Sequence, residues 1–435
     1  MTLVNTKIEG SRRFDTLDEW LRWQEGLHFT SIELGLDRCM SVAEKMSLLN
    51  PDYTVVSIAG TNGKGSSANM LCSILANAGY KNGCYTSPHL LRYNERICIN
   101  GRQVSDEELC ESFKRIDQAR GDISLTYFEF GTLAAFDIFQ RAGIDIGILE
   151  VGLGGRLDAV NCLDADVALI TTIDMDHENW LGDTRELIGR EKAGIMRKAK
   201  PAVSAERNPP DTLMNYANEI GADFYQAGQA YQYEMTTGGM WNWQDNKLSY
   251  KNMPLPSLHN KQQVSNAAGV LKVLSLLADK FPVTRSDIIQ GLQEFYLTGR
   301  FQIIPDKAQM IIDVAHNRQA AELLVNNLKN LSVKGKTHII VGMLKDKNRK
   351  AIFEMLQQVA DCWHIVSLDG SRGADAETLN QDLFALQITD NISLYAHVSL
   401  ALDHVRDIVG PEDRILITGS FLTVGAAIKH LNLHI

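Results

Sequence analysis

Thr54-Val-Val-Ser-Ile-Ala-Gly-Thr-Asn-Gly-Lys-Gly-Ser-Ser67 decides how the rest of the chain is read. Its β-branched, apolar start (Val55, Val56, Ile58) predicts a strand covered on both faces, as in a parallel sheet. Gly60, Gly63 and Gly65 then let the backbone turn sharply and bring its N–H groups close to an anion. Lys64 adds a mobile positive charge, and Ser66 offers a hydroxyl to a phosphate or metal oxygen. A helix follows, with Met70, Leu71, Ile74, Leu75 and Ala78 on one side and Gly79 just past its end. The match to the common phosphate-loop pattern has two departures. Ile58 sits where the first glycine belongs, and Gly65 separates Lys64 from Ser66. A glycine-rich turn alone serves packing as readily as binding. Glycines, lysine, hydroxyl, preceding strand and following helix coincide here, and together they point to a nucleotide phosphate site.

At 435 residues the chain exceeds what one core usually serves, so two or three domains are expected. With 45% hydrophobic and 22% charged residues it has an ordinary soluble, globular composition. The net charge of −10, with no lysine/arginine block, argues against a nucleic-acid partner. No apolar run approaches membrane-spanning length, and the N-terminus has no apolar signal core. Seven cysteines form no CxxC pair and no His/Cys cluster, which reads as buried thiols in a reducing cytoplasm.

Along the chain, Thr16-Leu-Asp-Glu19 is a capping-box pattern, and Cys39, Val42, Ala43 and Met46 mark a second amphipathic helix. Gly83–Thr86 reads as a short strand ending in Ser87-Pro88-His89. Arg92-Tyr-Asn-Glu-Arg96 has no helical period and reads as a functional loop. Ile144–Glu150 and Val167–Ile173 are further strands, with Glu150, Asp174, Asp176 and His177 at or just past their C-terminal ends. In open α/β sheets ligands bind at that edge. Residues from about 229 to 257 alternate aromatic and polar side chains and predict small antiparallel strands. A boundary is expected near Thr298-Gly-Arg300. The expected fold is therefore α/β: residues 1–297 form a phosphate-loop ATP-binding unit with a mostly parallel sheet and a small antiparallel region. Residues 298–435 form a smaller, Rossmann-like α/β unit.

Gly60-Thr-Asn-Gly-Lys-Gly-Ser66 resembles the phosphate loop of the Mur ligase superfamily, in the form used by its folate branch. The resemblance runs on through Thr86–Ile97, Leu149–Asn161, Gly189–Ile195, Asp313-Val-Ala-His-Asn317 and Thr418-Gly-Ser-Phe-Leu422. It covers nearly the whole chain, in order, and fits best the bacterial members that carry two activities. It implies an ATP-dependent amide ligase. Such an enzyme joins L-glutamate to dihydropteroate through an acyl phosphate, then adds further glutamates to reduced folates.

The resemblance also implies roles. Gly60, Thr61, Asn62, Gly63, Lys64, Gly65 and Ser66 would surround the phosphates, with Asn266 on the adenine. Ser87, Glu150 and His177 would hold Mg²⁺, and Lys192, as a carbamate, a second Mg²⁺; K⁺ is a further candidate. Arg300, Asp313 and His316 would face the nucleotide from the far side of a cleft. Thr126, Phe128, Arg156 and Asp158 match positions lining a pterin pocket bordered by Gly26-Leu-His-Phe29, and Ser420 would help seat glutamate. Without the resemblance, Phe128 reads as core, Lys192 and Asn266 as helix-surface residues, and His177 as structural. The remaining alternatives are a monofunctional folylpolyglutamate synthase and a non-catalytic, nucleotide-gated binding protein. A peptidoglycan Mur ligase is disfavoured by Ser87-Pro88-His89 and the Lys64-Gly65-Ser66 spacing. A cytoplasmic monomer is expected.

Overall fold

The computed structural model describes residues 14–30, 32–236, 238–257 and 261–433. Eight strands build the larger sheet: β1 (Thr54–Ala59), β2 (Asn82–Tyr85), β3 (Ile97–Ile99), β4 (Arg102–Gln103), β5 (Ile146–Glu150), β6 (Val167–Ile170), β7 (Pro201–Ser204) and β8 (Asp223–Gln226). Their order is β4-β3-β2-β5-β1-β6-β7-β8, parallel throughout except for the antiparallel edge strands β3 and β4. Every residue of β1 is buried, as expected of a strand with helices on both faces. Helices Leu17–Glu25, Asp37–Lys45, Asp106–Arg120, Tyr127–Ala142, Arg185–Ala193 and Asp211–Ile220 pack one face. Lys64–Asn77, Lys261–Leu277 and Arg285–Glu294 pack the other. Gly291 is needed there, because a Cβ would lie 2.6 Å from the Ile74 backbone.

The aromatic stretch forms a three-stranded antiparallel sheet of β9 (Tyr231–Met235), β10 (Met240–Asp245) and β11 (Ser249–Pro254). Trp243 donates its indole N–H to the Ala268 carbonyl at 3.0 Å, and Lys272 pairs with Asp245 at 2.8 Å, both almost fully buried. These contacts lock the small sheet to the helix that carries Asn266. A third sheet has the order β12-β13-β17-β14-β15-β16, with only β12 antiparallel. Its strands are β12 (Gln302–Ile304), β13 (Gln309–Ile312), β14 (Thr337–Val341), β15 (Cys362–Val366), β16 (Ile392–Tyr395) and β17 (Arg414–Thr418). The short strands β8, β12 and β16 are not among those the sequence reading expects.

Two expected strands are trimmed. β5 begins at Ile146 and β6 ends at Ile170. β6 stops because Thr171 turns its hydroxyl onto the Asn62 carbonyl (2.7 Å), spending those residues on the glycine-rich turn. Among the described residues no helix is long and apolar enough to cross a membrane.

Candidate active site

The glycine-rich turn leaves β1 at its C-terminal end and is braced from the next strand. Thr61 N–H donates to the Thr172 carbonyl (2.6 Å), its hydroxyl donates to the Asp174 carbonyl (2.9 Å), and the hydroxyls of Thr171 and Thr172 donate to the Asn62 carbonyl. Gly63 has φ +91°, and a Cβ on it would lie 2.6 Å from Asn266 Oδ1. Only glycine fits that conformation in that space. The helix Lys64–Asn77 starts with no side-chain cap, so its first N–H groups and the positive end of its dipole face the cleft.

Three charged side chains are buried around this turn. Lys64 Nζ donates to the carbonyls of Gly60 (2.9 Å) and Thr61 (3.2 Å), and burial holds its pKa below the usual lysine range although Glu150 and Asp176 oppose that. Lys192 Nζ donates to Gly60 O at 3.0 Å. It is 4% exposed, and burial with the Lys64 charge brings its pKa to about 7. Glu150, the last residue of β5, accepts the Ser87 N–H at 3.0 Å and stands 3.5 Å from where a Gly65 Cβ would be. Burial raises its pKa, against the pull of Lys64 and the Ser87 amide.

The other wall comes from the third sheet. Asn62 exchanges amide hydrogen bonds with Asn317 (3.2 and 3.1 Å) and donates to Gln319 Oε1 (2.6 Å). Asp176 accepts from Asn317 (3.1 Å) and from Lys347 Nζ (2.7 Å), while His316 Nε2 lies 3.7 Å away. Burial works against the Asp176 anion, but His177, Lys347 and His316 outweigh it and hold the carboxylate well below its usual range. His177 stands in the left-handed region (φ 54°), its Nε2 3.2 Å from Lys347 Nζ, and burial lowers its pKa to about 4. Arg300 stacks over Phe421 and lines a cleft with Asn62, Gly63, Ser66, Asn266 and Asp313. Asp313 accepts the N–H groups of Phe301 and Ala315, both at 2.8 Å.

Lys64, Lys192, Glu150 and Ser87 therefore meet at one turn, Asn266 packs against that turn at Gly63, and Arg300 and Asp313 line the same cleft from the other wall. Asn266 is not on the helix surface: it is 1% exposed and bonded to Gln262 and Gln263. His177 is turned to Lys347 and Asp176, so for it to meet a cation Lys347 has to move aside. Ser420 caps the helix Phe421–His430 and bonds the Thr423 hydroxyl at 2.7 Å, with its side chain engaged inside the third sheet's unit. His316 Nδ1 bonds the Val314 carbonyl at 3.0 Å, and burial lowers its pKa to about 4.

The expected pterin residues lie beyond Ser87. Thr126 caps the helix Tyr127–Ala142 through the Glu129 N–H. Phe128 leans on Gly152 and lies 6.0 Å from the Tyr85 ring. Asp158 is buried, accepts N–H bonds from Leu153 (2.8 Å) and Val160 (3.0 Å), and has its pKa raised by burial to about 6. Arg156 is half exposed and paired with Glu191 at 2.9 Å.

Sequence reasoning missed Lys347, Gln319 and the bond from Asn317 to Asp176. Lys347 follows the C-terminal end of β14, the ligand edge of that sheet, and this was the signal that could have found it. For a divalent cation the donors are oxygen atoms, a buried carboxylate (Glu150) beside a hydroxyl (Ser87), which suits a hard ion. Among the described residues no group of three or more His, Cys, Asp or Glu forms a ready cage, so such an ion would lean on phosphate and water.

Comparison with known proteins identifies the family. The family model for the Mur ligase middle domain matches residues 58–272, and that for the Mur ligase glutamate ligase domain matches residues 299–421. The dihydrofolate synthase/folylpolyglutamate synthase of Escherichia coli (strain K12) is 43% identical over 408 residues, covering 94% of each chain. A structure of E. coli FolC in complex with DHPP and ADP superposes with a TM-score of 0.91 at 42% identity, covering 97% of this chain and 99% of that one. A bifunctional folylpolyglutamate synthase/dihydrofolate synthase with Mn, AMPPNP and L-glutamate bound gives 0.89 at 42% identity, covering 96% and 98%.

Proposed function

The chain belongs to the Mur ligase family, and from that membership we propose an ATP-dependent ligase that joins L-glutamate to dihydropteroate and adds further glutamates to reduced folates. One observation carries the reading: a buried Lys64, Lys192 and Glu150 crowd a glycine-rich turn whose open side is closed by residues from a second sheet. A carboxylate becomes reactive toward an amine once it is phosphorylated. Its oxygen attacks the γ-phosphorus, the bond to the bridging oxygen breaks, and ADP leaves. The amine nitrogen then attacks the acyl carbon, phosphate departs with the bonding pair, and the nitrogen sheds a proton.

Little of this needs covalent help from protein; what it needs is alignment and charge neutralisation. Lys64 and the backbone amides from Gly60 to Ser66 are assigned to the β- and γ-phosphates, with Asn266 on the base. Arg300, Asp313 and His316 approach from the opposite wall, so closure completes the site and excludes water. Ser87, Glu150 and His177 would hold Mg²⁺, with carbamylated Lys192 at a second ion and K⁺ as a candidate monovalent partner. When bound, such cations offset the negative charge gathered on the transferring phosphoryl group. Thr126, Phe128, Arg156 and Asp158 are assigned to the pterin, and Ser420 to glutamate, acting through the helix it caps. The working units are residues 1–297 and 298–435, in a cytoplasmic monomer.

The test is phosphate release by purified protein with ATP and glutamate, with dihydropteroate and tetrahydrofolate offered side by side. Release with both substrates is expected. Release with tetrahydrofolate alone leaves a monofunctional enzyme, and release with neither overturns the reading.

A further inference from the structure

We propose that Arg96 binds the reacting carboxylate of the acid substrate, a role that rests on the ligase reading above. Arg96 ends the polar segment Arg92–Arg96, which nothing so far employs. Its residue is 9% exposed, yet among the described residues no carboxylate forms an ion pair with it. Nε donates to His89 Nδ1 at 2.8 Å. His89 Nδ1 is the acceptor in that bond, so it satisfies one N–H without bringing a carboxylate to the cation. The guanidinium lies over the rings of Tyr93 (5.3 Å) and Tyr127 (5.6 Å), which offset part of the cost of burying a cation. A buried charge is otherwise expensive unless it is paired, and with Nε on His89 the Nη1–Nη2 edge of the planar fork is the one left to take a carboxylate in bidentate fashion.

Its position selects which carboxylate. The Arg96 carbonyl accepts the Thr86 N–H at 2.9 Å, one residue before Ser87, whose own N–H is on Glu150. Tyr127, beneath the cation, precedes Phe128. Arg96 thus stands between the Thr126–Phe128 end of the site, assigned to the pterin, and the Ser87–Glu150 end, assigned to the phosphates. An acid whose pterin occupies the first and whose oxygen must reach the γ-phosphorus has its carboxylate in that gap.

Equilibrium binding of two probes to the full chain tests this: dihydropteroate, and the same pterin compound lacking the carboxylate. In Arg96→Met, dihydropteroate affinity should fall on the order of tenfold to a hundredfold, the usual worth of charge-assisted hydrogen bonds. Affinity for the carboxylate-free compound and for ATP should not change. Arg96→Lys keeps the charge and loses the fork, so it should show a smaller loss with the same selectivity. It carries the test if Arg96→Met does not fold. Equal weakening of both compounds means a packing role and overturns the proposal, as does unchanged dihydropteroate binding. Wild-type protein that binds neither compound overturns the folate reading, and this inference with it.

Discussion

Lys64 and Lys192 donate to the same acceptor: their ammonium nitrogens lie 2.9 and 3.0 Å from the carbonyl oxygen of Gly60. Two cations stripped of water on one carbonyl oppose each other. Lys64 has Glu150 and Asp176 to favour its charge, whereas burial and Lys64 bring the Lys192 pKa to about 7. An amine that is half neutral at physiological pH can capture CO₂, which a charged lysine cannot.

Lys192 should therefore take up ¹³C-bicarbonate as a carbamate at pH 8, seen by ¹³C NMR, with little signal at pH 6 and none in Lys192→Arg. That variant should lose ligation by about 10²-fold or more, as when a preorganised charge is lost from a transition state. The linkage runs the same way. Between about 7 and 10.5 the unfolded chain keeps a proton that the folded chain has released, so this group makes stability rise with pH across that window. Below it, the buried charge is a constant cost. A free amine in active enzyme supplied with divalent cation sinks the carbamate.

Lys347 and Asp176 join the two walls through a pair whose side chains are 6% and 9% exposed. Losing one partner of a buried pair usually costs about 3–5 kcal/mol, because the other charge stays stranded. Here Asp176 can recover water if the cleft opens. Lys347→Met should therefore open the molecule rather than unfold it: a larger radius of gyration by X-ray scattering with ATP present, a nearly unchanged Tm, and a large fall in kcat/KM. A Tm drop without opening contradicts this.

The sequence announced the phosphate turn, Glu150 and the ligand edge because each rests on a local rule: strand periodicity, a glycine's permitted φ, a polar residue ending an apolar run. The reciprocal Asn62–Asn317 pair spans 255 positions, and the Lys347–Asp176 pair spans 171. No periodicity encodes such pairs. Lys347 in particular sits among charged residues that look like any solvated surface. β16 was missed for a related reason, since Ile392–Tyr395 is only half buried at the edge of its sheet.

His364 sets an acid limit to stability. Its Nε2 is 3.1 Å from His338 Nδ1, its Nδ1 is 3.1 Å from the Tyr395 hydroxyl, and the His404 ring lies tilted to it with centroids 6.4 Å apart. Burial, with His338 and His404 adding to it, lowers its pKa to about 4. Between 6.5 and about 4 the unfolded chain binds a proton that the folded chain refuses, so stability falls as pH drops through that window. Across the whole window the loss is on the order of 3 kcal/mol, at 1.36 kcal/mol per pH unit. Urea unfolding at pH 7 and pH 4.5 should show it, and His364→Gln should flatten the difference. Equal pH slopes in the two proteins would rule His364 out as the cause.

Phe128 rests on bare backbone: a Cβ on Gly152 would lie 2.5 Å from its ring. Gly152→Ala must therefore push the ring off that position, toward Tyr85 or into the pocket beside it. If Phe128 stacks on the pterin, the displaced ring should weaken dihydropteroate binding about tenfold, the worth of an aromatic contact, while ATP affinity holds. Phe128→Ala should weaken it similarly by removing the ring altogether. With no ring left to displace, adding Gly152→Ala to Phe128→Ala should cost nothing more, so the double-mutant cycle should be strongly non-additive. Additive losses would mean that Gly152 acts on the backbone of Leu153–Asp158 instead of through the ring, and unchanged binding in Phe128→Ala would mean that the ring is core packing with no part in holding substrate.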